Sequence, residues 1–188
     1  ELRALFGSVL VGSETISIDD PQLNYRGEKG MLQHGRIILD VNNRLKPTAQ
    51  VLNSEGGKVI IARLNEETAS ESKCFRQVKR NRGELPEIVE YFIDKDIAKE
   101  NSVRLDDFVR ALTEFEGISG ILVEGGSKTL TSFFEAELAD EVFVFVAPKL
   151  IGGKDAVTAL GGLGAEKMKD ALQLKNVTVQ IIEGTEII

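Results

Sequence analysis

The stretch ILVEGGSKTLTSFF, residues 121–134, decides how the rest of the chain is read. Its first four residues are a short β-type run ending at Glu124. Two glycines follow, and a helix starts near Ser127 or Lys128, with Leu130, Phe133, Phe134 and Leu138 at helical spacing. A strand that feeds a helix through glycines is the repeating unit of an α/β sheet. Glycines at such a junction let the backbone approach a ligand closely, and the N–H groups of the first helical turn bind anions. Lys128, Thr129 and Ser132 add a charge and hydroxyls at the same end. A tight turn with a capping serine accounts for the same residues without a ligand, and Glu124 either orients a substrate or faces solvent. Two phosphate loops are excluded. Gly120 and Gly125 have the P-loop separation, but Gly126 stands where its lysine must be. After the first strand, VGSETIS lacks the glycine spacing of the dinucleotide fingerprint.

Working outward, the runs SVLV (8–11), RIILD (36–40), KVIIA (58–62) and GILVE (120–124) are brief and bounded by glycine or charge. They read as strands buried on both faces, as a parallel sheet requires. EIVEYFI (87–93) is a further strand, and EVFVFVAP (141–148), the most apolar run, is expected to be a central one. Leu105, Phe108, Val109, Leu112 and Phe115 define a second amphipathic helix, with Asp106 and Asp107 suited to its first turn. Residues 65–84 are polar and irregular and receive no assignment beyond a frayed helix with a loop. The tail LQLKNVTVQIIEGTEII (172–188) alternates apolar and polar residues. It changes phase near Asn176, which suggests a bulge, and turns at Glu183-Gly184 into a return strand over 186–188. The fold expected is a mixed, mostly parallel α/β sheet flanked by helices and closed by a C-terminal antiparallel hairpin, in one domain over 1–188. The start at Glu1 and the stop inside an apolar run are read as the ends of a fragment of a longer protein.

Composition narrows the function. A chain of 188 residues, 42% hydrophobic and 28% charged, suits a globular protein with a substantial core. A net charge of −7 argues against nucleic acid as a partner, since phosphate binding needs a basic stripe. No run approaches the length of a membrane span and no signal peptide opens the chain, so a cytoplasmic protein is expected. One cysteine, Cys74, and one histidine, His34, leave no thiolate metal site, disulfide framework or Ser-His-Asp triad, and both are read as inert. The glycine-rich run GGKDAVTALGGLG (152–164) is read as a flexible loop.

The segment VGSETISIDDPQLNYR (11–26) then reads as a strand, a turn at Gly12 and a loop. Thr15 can offer a hydroxyl to a phosphate or ribose, Asp20 can make a local side-chain turn before Pro21, and Arg26 is placed to hold an anion. Together TxxxDDPxLxxR, RIILDVNNRL, VEGG and ADEVFVFVAPKLIGG occur in the order and spacing of the riboflavin-biosynthesis reductases. The chain resembles this family over nearly its whole length. The family comprises the reductase half of a bifunctional deaminase–reductase and stand-alone relatives, with a fold like that of dihydrofolate reductase.

The resemblance implies NADPH-dependent reduction of a phosphoribosylaminopyrimidine, its ribose becoming a ribityl chain by hydride transfer to C1′ of the opened sugar. It implies that Thr15, Asp19, Gly125, Gly126, Ser127, Lys128, Thr129, Leu130, Thr131 and Ser132 hold the cofactor. Leu23, Arg26 and Glu124 would meet the substrate, with Glu124 as the catalytic carboxylate and no metal. It also implies that the family's first strand and any deaminase domain precede Glu1, and a homodimer is the default assembly. Two positions depart from the family pattern: Glu14 replaces a small residue, and Val41 replaces a hydroxyl residue after Asp40. Another pteridine or pyrimidine reductase of the same fold, or a nucleotide-binding module without turnover, stays open as an alternative.

Overall fold

The computed structural model describes residues 2–25, 27, 35–64, 77–80, 83, 85–93, 104–154, 156–162, 164–182 and 186–187. The β-branched runs form a parallel sheet: β1 (Ser8–Gly12), β2 (Gly35–Leu39), β3 (Val59–Leu64), β5 (Ile88–Ile93) and β6 (Leu122–Gly125). A strand that the sequence did not suggest, β4 (Gln77–Arg80), pairs antiparallel with β5 and ends the order β4-β5-β3-β2-β1-β6. Its residues alternate charge and β-branching too weakly to stand out, and only the ladder with β5 reveals it.

Each central strand is buried on both faces, so alternate side chains supply two cores. Leu10, Ile37, Leu39, Ile60 and Ala62 point to one face. There they meet Phe108 and Leu112 of α4 (Leu105–Glu116) and Phe133 of α5 (Ser127–Glu135). Val9, Val11, Ile38, Val59 and Ile61 point to the other. That face is covered by Ile16 of α2 (Ser13–Asp19) and by Val51 and Leu52 of α3 (Gln50–Asn53). A short α1 (Leu2–Phe6) leads into β1.

Four expectations are corrected. The segment after Gly12 is not a turn and loop but α2, because Ile16 at the helical spacing can bury 97% of its surface against β1 while Glu14, Ser17 and Ile18 stay outside. Asp20 makes no local side-chain turn: its backbone closes α2 in the left-handed conformation, at φ 41°, and its carboxylate accepts the N–H of Gln50 at 2.8 Å, at the start of α3.

The run 141–148 is not a central strand. It carries only an isolated bridge at Val146, and Val144, Phe145 and Val146 are each about half exposed. Apolar β-branched composition favours a strand only where a partner completes the ladder. Among the described residues β6 pairs with β1 alone, while Phe143 is drawn instead to an edge-on contact with Phe6 of α1, 6.0 Å between centroids.

The terminal hairpin exists as β7 (Ile181–Ile182) paired antiparallel with β8 (Glu186–Ile187), in a separate two-stranded sheet. Asn176 has φ 55°, a left-handed kink in a segment without a ladder rather than a bulge in one. The turn at Glu183-Gly184, Arg26, His34 and Cys74 lie outside the described residues.

Candidate functional site

The chain order of the strands selects one end of the sheet. From β1 the connections run to β2, β3 and β5 on one side, and then the crossover through α4 returns to place β6 on the other side of β1. Adjacent parallel strands whose connections leave in opposite directions open a crevice at their carboxyl ends, where ligands of open α/β sheets bind. Here those ends are Val11-Gly12 and Glu124-Gly125, with α2 and α5 starting immediately after them.

The crevice is closely fitted. The ladder between β1 and β6 shifts register after Leu10, so that Val11 faces Gly125. Gly12 has no side chain for a steric reason: a Cβ there would sit 2.5 Å from Thr129 Oγ1. Thr129 is itself buried, which seats the first turn of α5 against the end of β1. Across the gap, Thr15 Oγ1 accepts the N–H of Gly126 at 3.0 Å, joining α2 to the start of α5. Lys128 is exposed, and its Nζ lies 3.6 Å from the carboxylate of Glu14.

Not every hydroxyl that the sequence offers points at the crevice. Ser132 Oγ donates to Lys128 O at 2.9 Å, and Thr131 Oγ1 donates to Ser127 O at 2.8 Å, both bonds falling within the helix. Thr131 Oγ1 also accepts the N–H of Gly161 at 2.9 Å, so part of the glycine-rich loop lies on α5. Leu130 gives its N–H to Gly126 O at 3.1 Å and is partly buried. The first-turn N–H groups of Ser127, Lys128 and Thr129, with the side-chain-free backbone of Gly125 and Gly126, are what can meet an anion. Asp19 stands exposed in the last turn of α2. Leu23 is placed differently from a ligand-facing residue: it is 2% exposed, at φ 57°, among Val9, Val11, Ile16 and Leu45.

Glu124 has a partner that the sequence did not suggest. Arg3 of α1 grips it with two bonds, Nε to Oε1 and Nη2 to Oε2, each 2.6 Å. Its third nitrogen donates to Asn24 O at 2.9 Å. The fork holds the guanidinium above its ordinary pKa through the bond to Glu124, against an opposing effect of burial. The one available signal was a lone cation in the apolar run LRALFG, which by itself reads as a solvated helix residue. Val41 packs against the core under α4 and α5, so the missing hydroxyl is replaced by an apolar contact. Among the described residues no group of three or more His, Cys, Asp or Glu side chains could hold a metal, and no helix is long and apolar enough to cross a membrane.

The model of the family described as RibD C-terminal domain matches residues 1–185. The chain is 29% identical over 183 residues to the riboflavin biosynthesis protein RibD of Actinobacillus pleuropneumoniae, covering 97% of this chain and 45% of that protein. It is 32% identical over 181 residues to the 2,5-diamino-6-ribosylamino-4(3H)-pyrimidinone 5′-phosphate reductase of Methanothermobacter thermautotrophicus, covering 93% of this chain and 74% of that one. Acinetobacter baumannii RibD superposes with a TM-score of 0.73 at 24% identity, covering 98% of this chain and 46% of that chain. The chain thus spans about half the length of the RibD relatives that it matches.

Proposed function

We propose, since the chain belongs to the RibD C-terminal domain family of riboflavin-biosynthesis reductases with a dihydrofolate-reductase-like fold, that it reduces a phosphoribosylaminopyrimidine with NADPH, turning the ribose into a ribityl chain. The observation that carries this reading is the convergence of Thr15, Glu124, Gly125, Gly126 and the first turn of α5 at the carboxyl ends of β1 and β6. The cradle suits a nucleotide cofactor: Gly125 and Gly126 carry no side chain, the start of α5 offers N–H groups, and exposed Lys128 supplies a cation.

NADPH, when bound, supplies the hydride that C1′ of the opened sugar receives. The residues of the chain hold and orient. Thr15, Asp19 and residues 125–128 line the cofactor side, residues 129–132 secure the helix that carries them, and Thr15 bonds the start of α5 across the gap. Leu23, Arg26 and Glu124 serve the substrate side. Leu23 contributes through the backbone of its left-handed turn, since its side chain belongs to the core. Glu124, fixed by the Arg3 fork, presents an acceptor of defined direction to the sugar hydroxyls, and an arginine such as Arg26 suits the phosphate. Val41, in place of a hydroxyl residue, packs against the core instead. The protein acts in the cytoplasm as a homodimer.

The test is direct. Full-length protein is mixed with NADPH and either the deaminated or the diamino ribosylaminopyrimidine phosphate, and loss of the nicotinamide absorbance is followed. Oxidation dependent on either pyrimidine supports the proposal, and the preferred one names the step. NADPH binding without oxidation by either overturns it in favour of a binding module, whereas oxidation by an unphosphorylated pteridine favours another reductase of the fold.

A further inference from the structure

Arg36, on β2, is the largest fully buried side chain among the described residues, and the reading above gives it no role. Its guanidinium meets neutral acceptors: Gly57 O from Nε at 3.1 Å and from Nη2 at 2.7 Å, then Gln22 O at 3.3 Å, Asn24 Oδ1 at 3.3 Å and Ser54 Oγ at 3.2 Å, all from Nη1. Burial pushes its pKa down to about 10. No counter-ion meets it among the described residues; taking a charge out of water in this way is costly, and an apolar side chain of the same volume would fill the space without that cost. The arrangement does something that an apolar residue would not.

What it does is visible in the partners. Asn24 is a hub: its Oδ1 accepts from Arg36, its Nδ2 donates to Glu55 O at 2.8 Å, and its backbone carbonyl accepts from Arg3. Arg3 in turn forks onto Glu124. Gly56, at φ 143°, leaves room for this hub, since a Cβ there would lie 2.6 Å from Asn24 Oδ1 and 3.1 Å from Arg36 Cζ. A continuous chain of bonds therefore runs Arg36–Asn24–Arg3–Glu124, from β2 to the end of β6, and it engages Gln22 and Asn24, on either side of Leu23.

We propose that Arg36 is a positioning residue for the substrate side of the site: through Asn24 it sets the loop at residues 22–24 and, by way of Arg3, the direction of the Glu124 carboxylate. The inference rests on the reductase reading for its chemistry, but the tether itself is physical and can be measured without turnover.

The test uses Asn24→Ala and Arg36→Met in the full-length protein, read by amide hydrogen exchange and by steady-state kinetics. Exchange over residues 22–25 rises about tenfold or more in both variants while the amides of β1 and β3 keep their wild-type rates. KM for the ribosylaminopyrimidine phosphate rises about tenfold to a hundredfold, while kcat and the NADPH dissociation constant stay within about threefold. If Arg36→Met fails to fold, Asn24→Ala carries the test, since Asn24 is part-exposed. Unchanged exchange in the loop, exchange rising equally across the whole sheet, or KM and NADPH affinity shifting together overturns the proposal. Should the wild type oxidise no NADPH, the reductase reading falls by itself, and the exchange pattern alone then upholds or overturns the tether.

Discussion

At the scale of single residues, Glu14 and Gly12 show how neighbours decide meaning. Glu14 looks misplaced beside a phosphate-binding turn, yet in the fold its carboxylate has Lys128 Nζ 3.6 Å away. Both side chains are well exposed, so the pair contributes little to stability, but it ties up the cation that a phosphate would use. Glu14→Gln therefore leaves the Tm unchanged and tightens NADPH binding by about two- to fivefold at low salt, a gain that fades in about 0.5 M salt as screening grows. Titration calorimetry at two ionic strengths checks both parts. Gly12 is a steric requirement rather than a flexible turn. Gly12→Ala drives a methyl group into Thr129 Oγ1, so it destabilises by about 1–3 kcal/mol and weakens NADPH binding together with it. Denaturant unfolding and cofactor titration of the same variant read the two effects.

At the scale of elements, the strand ends carry the charged groups that fasten one element to the next. Asp40 closes β2, fully buried, accepting the N–H groups of Arg44 and Leu45 at 2.7 and 3.1 Å and Arg63 Nη1 of β3 at 2.9 Å. Asp40→Ala strands those donors and costs about 3–5 kcal/mol, measurable as a lower denaturation midpoint with the slope preserved. At the opposite end of the sheet, Glu116 of α4 accepts from Lys58 Nζ at 2.6 Å and from Tyr91 Oη at 2.7 Å, so α4 is pinned to β3 and β5. The bond to Glu116 raises the Lys58 pKa above 10.5, and burial first, then Glu116, raises that of Tyr91. Because the folded pKa of Lys58 exceeds its unfolded value, the stability it contributes is whole below pH 10.5 and is lost as pH rises through the folded value. Lys58→Met consequently lowers the Tm at pH 7 and lowers it less at pH 11, the comparison being made by calorimetry at both. The strands β1, β2, β3 and β5, α4 and α5 were legible from apolar runs and helical spacing. α2 was not, since SETISID has one apolar position that reaches the core and its helical form depends on Ile16 finding β1.

At the scale of the whole molecule, a cofactor that binds only the folded form must stabilise it. NADPH at about 100 times its dissociation constant contributes about 2.7 kcal/mol, which for a chain of this size raises the Tm by about 5–10 °C. Absence of any shift in a thermal scan would contradict cofactor binding at the β1–β6 crevice. The family motifs, the alternation of strands with helices and the turn at Gly125-Gly126 were readable without coordinates, because buried parallel strands must be apolar along their length and a helix start must follow a break in the ladder. By itself the sequence thus determined the α/β class, most of the sheet and the strand-to-helix junction that runs from Glu124 into α5. Only the tertiary structure decided the rest. It placed Arg3 on Glu124 across 121 positions of chain, made Arg36 a buried hub, put Leu23 in the core and left 141–148 outside the sheet. The physical reason is common to all four. Local composition states what a residue can do, whereas the partner that satisfies a charge, a ladder edge or an apolar side chain comes from a distant segment, and only the folded chain brings the two together.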